Sequence, residues 1–306
     1  MNQTLRKVAI VGSARIPFCR SNTLYADLSN LDMLTTTLNG LVDKYKLSGA
    51  HIDEVIGGAV VSHSKDWNLA REAVLGTKLA PSTPGITLQQ ACGTSLQAAM
   101  MIGAKIASGQ IESGIACGSD TTSDPPIVFS KKMAGRLLAA QNARSLGQRF
   151  GAFKGFKLRE LAPQPPSTGE PRTGMAMGAH TELMAQEWHI SRAEQDEFAA
   201  ESHRKAAAAW KDGVFAEEVV PVKIPQRKGD PLEFTEDEGI RANTTADSLG
   251  GPGGELAQRA APDLLVGLGQ LPADRSRPVG AERLRHRHQR LVKPVRRLEE
   301  DHGARL

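Results

Sequence analysis

Ile86-Thr-Leu-Gln-Gln-Ala-Cys-Gly-Thr-Ser-Leu-Gln-Ala-Ala99 decides how this chain of 306 residues folds. A short apolar-to-polar strand runs into Cys92, two small residues follow, and a helix rich in Ala, Met and Ile is expected over about Ser95 to Ala107. A cysteine at the start of a helix lies at the positive end of the backbone dipole, among amide hydrogens with no partner in the helix. Such surroundings favour the thiolate, the nucleophilic form. Small neighbours let a substrate carbonyl and its oxyanion approach the backbone. On the local pattern two readings stand side by side: a nucleophile, and a buried structural cysteine of the kind common in cores.

Working outward, Val8 to Val11, Glu54 to Val61, Ile86 to Ala91 and Gly114 to Gly118 read as short buried strands. Helical stretches lie near Asp32 to Tyr45, Asn68 to Leu75 and Ser95 to Ala107. Alternation of strands and helices implies an α/β fold, a mostly parallel sheet with helices on both faces. Cys92 then falls at the C-terminal end of a strand, where such folds place reactive groups. Residues 121 to 175 break the rhythm with six prolines, and Lys131 to Glu160 hold eight Lys or Arg against one acid. A solvated lobe is the first reading; attraction of phosphates, a membrane or a partner subunit is the second. Residues 178 to 212 read as helical, with Ser191 and Glu194 as a capping box and Gly213 as the stop. Val214 to Ile224 reads as extended.

Composition excludes several classes. Three widely spaced cysteines form neither a disulfide framework nor a zinc pattern, which suits a reducing cytosol. No apolar run approaches the roughly 20 residues of a membrane span, and the N-terminus carries no secretory pattern. The net charge of +4 comes from 38 basic and 34 acidic residues. Residues 251–306 account for all of it, with 11 basic against 7 acidic, so the first 250 residues carry 27 of each. A neutral body and a tail without aromatic residues argue against a nucleic-acid partner. The pair His286 and His288 lacks further ligands at a sensible spacing, so no metal is expected.

Several stretches, in order, resemble the thiolases, which make or cleave 3-ketoacyl-CoA. The nucleophile stretch around Cys92 is one. Val8-Ala-Ile-Val-Gly-Ser-Ala-Arg-Ile-Pro-Phe18 resembles the family's first strand and arginine turn. Ile106-Ala-Ser-Gly-Gln110 and Gly114-Ile-Ala-Cys-Gly-Ser-Asp120 resemble the end of the nucleophile helix and the next strand. Thr122-Ser-Asp-Pro-Pro126 is closest to the branch that includes the trifunctional-complex thiolase subunit. Met175-Ala-Met-Gly178, Ser191-Arg-Ala-Glu-Gln-Asp-Glu-Phe198 and Glu238-Gly-Ile-Arg241 resemble the CoA-binding loop region.

The resemblance implies a layered αβαβα N-terminal half with an inserted loop domain. Its parts would be residues 1–120 with the nucleophile, 121–242 as the CoA-binding loop domain, and 243–250 returning to the N-terminal domain. It makes Cys92, rather than Cys19 or Cys117, the residue that takes the acyl group as a thioester. Arg241 and Ser248 match, seven residues apart, positions that contact the adenine and pantetheine of CoA; guanidinium offers both a donor fork and a stacking plane. Met177 and Gly178 match the loop lining the pantetheine tunnel. The family's usual histidine before that Met-Gly pair is Ala176 here, and His180 is the nearest histidine. Coenzyme A is implied as substrate, with no permanently bound cofactor. A homodimer or homotetramer, a β-oxidation partner subunit and a cytoplasmic location are implied as well.

The resemblance stops near residue 250. From Gly251 the chain is dominated by Arg, Pro, Gly, Ala and Leu and contains no Phe, Trp, Tyr, Ile, Met, Thr, Asn or Cys. Such a composition builds little core, and residues 251–306 are expected to be a disordered tail read out of frame. The family's C-terminal histidines, one of them in a Gly-His-Pro motif, and its second catalytic cysteine have no counterpart in the sequence. A truncated and inactive acyltransferase is the expectation. A non-catalytic CoA-binding or subunit-partner module and a carrier-protein-dependent condensing enzyme are the alternatives. Independent resequencing across codons 240 to 260 decides the frame.

Overall fold

The structure is a computed structural model, and it describes residues 5–226 and 228–250. The expected tail 251–306 and its histidine pair lie outside the described residues. Two units are distinguished, one up to Ala246 and one from Asp247 on.

At the centre are three short parallel strands, β1 (Glu54–Gly57), β2 (Gly85–Thr87) and β3 (Gly114–Ala116), in the order β2-β1-β3. The register pairs Val55 with Ile115 and Ile56 with Ile86. Residues one apart on a strand face opposite ways, so the sheet offers two apolar faces. Ile115 and Cys117 pack on one side against Leu34 and Leu38 of α1 (Asn30–Lys44) and Leu69 and Ala73 of α2 (Leu69–Leu75). Ile56 and Ile86 pack on the other against Ala98 and Ile102 of α3 (Thr94–Ala107). Helices on both faces of a parallel sheet bear out the expected α/β class.

The helices begin where the sequence places them. Ser29 caps α1 in a capping box closed by Asp32, and Asn68 caps α2 by accepting from the Arg71 amide at 3.0 Å. At its far end α3 is tied to the sheet by Lys105, whose Nζ donates to both oxygens of the buried Glu54 at 2.7 and 2.6 Å.

The strand expected at Val8 to Val11 does not form. Those residues take no regular structure, and Ile10 and Val11 are 92% and 88% exposed. β-rich composition creates a strand only where a sheet edge accepts its hydrogen bonds, and none does so for this run among the described residues. The chain becomes anchored a few residues later. Arg15 exchanges backbone hydrogen bonds with Glu218 and Val220 at 2.8 and 2.7 Å, and its guanidinium grips Asp237 at 2.8 and 3.0 Å and Glu218 at 2.8 Å. The other strands are shorter at their C-terminal ends than the apolar runs suggested.

Beyond β3 come α4 (Lys131–Gln141), α5 (Leu146–Gly151), α6 (Met177–Glu187) and α7 (Arg192–Lys211). A hairpin follows, β4 (Val222–Ile224) with β5 (Leu232–Phe234). Val222 and Ile224 bury against Tyr25 and Met33. Of the extended run expected over Val214 to Ile224, only this last part is strand; residues 213–218 form turns. The last helix among the described residues is α8 (Ala246–Gly250).

Candidate active site

Cys92 stands between β2 and α3, and it is exposed. The chain reaches it through an unusual turn. Leu88, one residue past β2, is still bonded to the sheet, its amide donating to the Gly57 carbonyl at 2.9 Å. Three residues on, Ala91 has φ +45°, a left-handed conformation that costs a residue with a Cβ about 1–2 kcal/mol. Gly93 is then the N-cap of α3, with no side-chain cap. Strain of this kind persists only where the surroundings over-determine it, and it gathers at functional sites.

The surroundings are visible residue by residue. The amides of Gly93 and Thr94 donate to the carbonyls of Gln90 and Ala91 at 3.0 and 3.2 Å. The Thr94 hydroxyl donates to the Ala91 carbonyl at 2.7 Å and accepts from the Gln90 amide at 2.9 Å. Neighbouring strand ends press in from outside. A Cβ on Gly58 would stand 1.9 Å from the Leu88 carbonyl oxygen, and one on Gly118 would stand 2.1 Å from the Ser95 hydroxyl. Asp120 closes the loop after β1 by accepting from the amides of Val60 and Val61 at 2.6 and 3.0 Å.

The next two amides of α3, those of Ser95 and Leu96, meet no acceptor among the described residues. They are the unpaired donors expected at a helix start. Among the described residues no side chain hydrogen-bonds to Cys92 Sγ. An exposed sulfur just ahead of a helix start can take up an acyl group; among the described residues a proton acceptor for repeated turnover is not in hydrogen-bond contact with it.

The other two cysteines stand differently. Part of Cys117 is exposed, but its sulfur is covered by Gly57, where a Cβ would come within 2.5 Å of it. It points to the Ile56 carbonyl at 3.6 Å, and burial pushes its thiol up to about 12. Cys19 donates to the Glu238 carboxylate at 3.3 Å, which also accepts from the Arg20 amide and the Thr23 hydroxyl at 2.9 Å each. Those bonds, the Arg20 amide first, hold the Glu238 carboxyl below its usual range.

The residues expected to hold CoA are spread along the second half of the sequence. Met177 opens α6 and is 70% exposed; Gly178 follows it, with open space where a Cβ would go. Arg241 is exposed, and its amide donates to His203 Nδ1 at 3.2 Å. Ser248 lies in α8. His180 reaches the Thr173 hydroxyl at 3.3 Å, a surface role. A groove of about 610 Å³ runs along α7, lined by Glu194, Phe198 and Glu201 opposite Ala242 and Thr244; Cys92, Met177, Gly178 and Arg241 are not among its lining residues.

Sequence reasoning located Cys92 and the strand-to-helix change around it. It missed Thr94, Asp120 and the Arg15–Asp237 contact, because each acts through a fold-dependent hydrogen bond. A hydroxyl two residues after the cysteine was the one local signal available.

Comparison with known proteins points to one family. The chain is 37% identical over 241 residues to a 3-ketoacyl-CoA thiolase of Pseudoalteromonas translucida (strain TAC 125), covering 79% of this chain and 55% of that protein. It is 38% identical over 242 residues to one of Shewanella halifaxensis (strain HAW-EB4), with the same coverages. The chain thus spans about half the length of the curated relatives it matches. The crystal structure of the Bacillus anthracis acetyl-CoA acetyltransferase superposes with a TM-score of 0.66 at 25% identity, over 81% of this chain and 58% of that one. The family model for the thiolase N-terminal domain matches residues 8–252, and the chain belongs to the thiolase family.

Proposed function

We propose that this chain carries the acyl-accepting half of a thiolase-type acyltransferase acting on 3-ketoacyl-CoA or acetyl-CoA. The Cys92 thiolate attacks the C3 carbonyl of a 3-ketoacyl-CoA. The C2–C3 bond breaks, its electron pair takes a proton at C2, and acetyl-CoA leaves while the acyl group stays on Cys92 as a thioester. CoA thiol then takes the acyl group and returns the proton to the solvent or to the cysteine. With acetyl-CoA the first step is a thioester exchange: the acetyl group moves to Cys92 and CoA leaves as its thiol.

The observation that carries this reading is the contrast among the cysteines. Cys92 alone of the three is exposed, directly after the strained Ala91 and at the start of α3, and the relatives are a 3-ketoacyl-CoA thiolase and an acetyl-CoA acetyltransferase. Residues 1–120 are the nucleophile domain in this reading, and 121–242 the CoA-binding loop domain. Residues 243–250 return to the nucleophile domain. Arg241 and Ser248 meet the adenine and pantetheine of CoA, and Met177 and Gly178 line the pantetheine path. The protein acts in fatty-acid or ketoacyl-CoA metabolism in the cytoplasm, as a homodimer or homotetramer or beside a β-oxidation partner subunit. Among the described residues no helix is long and apolar enough to cross a membrane.

Among the described residues Cys92 has no hydrogen-bonded base. One acyl group per chain, without sustained thiolysis, is therefore the expected behaviour. Incubation of the full chain with acetyl-CoA, followed by digestion and mass spectrometry, should add one acetyl group to the Cys92 peptide and none to those of Cys19 and Cys117. An unmodified Cys92 that iodoacetamide alkylates no faster than in the denatured chain leaves the proposal without support and favours a non-catalytic binding module.

A further inference from the structure

We propose that Thr94 is the positioning residue of the nucleophile turn: its side-chain hydroxyl holds Ala91 in the left-handed conformation that presents Cys92 at the start of α3. The inference rests on the reading of Cys92 as acyl acceptor and adds a residue to it.

Three observations converge on the hydroxyl. It joins both sides of the strained residue, donating to the Ala91 carbonyl at 2.7 Å and accepting from the Gln90 amide at 2.9 Å. It is shielded from water, since Thr94 is only 5% exposed, so no solvent molecule competes for those bonds at low cost. Its direction is imposed from outside the turn. The Thr94 methyl lies against Gly58, where a Cβ would come within 3.0 Å of it. A β-branched side chain has few rotamers, and with its methyl packed on the strand end the hydroxyl is left facing the turn.

Besides the hydroxyl, two backbone bonds close the turn, from the amides of Gly93 and Thr94 to the carbonyls of Gln90 and Ala91. Gly93 provides no side-chain cap, and Ala91 lacks the conformational freedom that makes φ +45° easy for glycine. Without the hydroxyl, Ala91 returns to a negative φ, and the Gln90 amide and the Ala91 carbonyl lose a buried partner. Cys92 is then displaced from the start of α3, with its unpaired Ser95 and Leu96 amides. The relevant loss is of placement, to which reactions of bound groups are steeply sensitive.

The test uses the full chain and iodoacetamide at neutral pH, with alkylation of all three cysteines followed by peptide mapping in one digest. Thr94→Val keeps the shape and removes the hydroxyl; Thr94→Ser keeps the hydroxyl. The Cys92 rate is expected to fall about fivefold in Thr94→Val, the order of one helix-terminus interaction. It should return to within about twofold of wild type in Thr94→Ser, while Cys117 stays protected in both. A Cys92 rate in Thr94→Val equal to wild type overturns the role of the hydroxyl and leaves the Cys92 reading intact. A wild-type Cys92 no faster than in the denatured chain removes both. If Thr94→Val also exposes Cys117, the fold rather than the turn has changed, and Thr94→Ala, which cannot overpack, is read by the same two criteria.

Discussion

Helix α3 buries Ala98 and Ile102 against the sheet and begins with no side-chain cap, whereas α7, twenty residues long, buries only Asp196 and begins with both bonds of a capping box. Further stabilisation of α7 is local: Arg192 pairs with Asp196, and Glu201 with Arg204 and Lys205. The first helix is located by what it packs on, the second by its own sequence. The difference matters for chemistry. A nucleophile needs placement to within a fraction of an ångström, which a packed sheet supplies. A helix held by its own sequence needs no such placement and leaves its side chains open to water.

If that contrast is right, substitutions where strand ends meet the Cys92 turn should cost most. Gly58→Ala, with its Cβ driven toward the Leu88 carbonyl, should lower stability by about 3 kcal/mol in urea unfolding. The same change at Gly178 in α6, where space is open, should be neutral or slightly stabilising. Equal effects at the two glycines would erase the distinction.

Next in size is the contact that joins the N-terminal segment to the region after β3. Burial opposes ionisation of Asp237, but the Arg15 guanidinium, the Phe18 amide and the Trp210 indole outweigh it and hold the carboxyl below its usual range. A carboxyl depressed in the folded state adds stability above its unfolded pKa, near 4, and that stability is lost as pH falls through the lower folded value. Asp237→Asn should therefore cost about 2 kcal/mol at pH 7. It should also flatten the loss of stability below about pH 4. An unchanged acid limb in the variant would mean that other carboxylates govern it.

Smaller effects separate local from tertiary control. Ser191→Ala removes the α7 cap and should cost about 1 kcal/mol, seen as lost helical circular dichroism on mild heating, with the Cys92 alkylation rate unchanged. Ala91→Gly relieves the left-handed turn and should raise stability by about 0.5 kcal/mol, the relief of strain partly offset by a more flexible unfolded chain. A destabilised Ala91→Gly chain would show that the turn is not strained.

Much of this was legible beforehand. The strand–cysteine–helix order, the helices α1 to α3, the capping box at Ser191 and the stop at Gly213, with its φ of +71°, all follow from local rules of periodicity, capping and glycine conformation. Cys92 as the distinctive cysteine was legible for the same reason, since its setting is written in its neighbours. The run Val8 to Val11 was misread because strand formation depends on a partner, and Ile10 and Val11 have none that the sequence names.

By itself, then, the sequence determined the α/β class, the family resemblance and the position of the candidate nucleophile, all properties of residues a few positions apart. Only the tertiary structure decided that Ala91 is strained, that Thr94 clasps it, that Cys117 is shielded by Gly57, and that Arg15 reaches Asp237 across 222 positions of sequence. Those facts depend on which distant backbone atoms arrive within hydrogen-bond or van der Waals range, and that is set by packing rather than by local pattern.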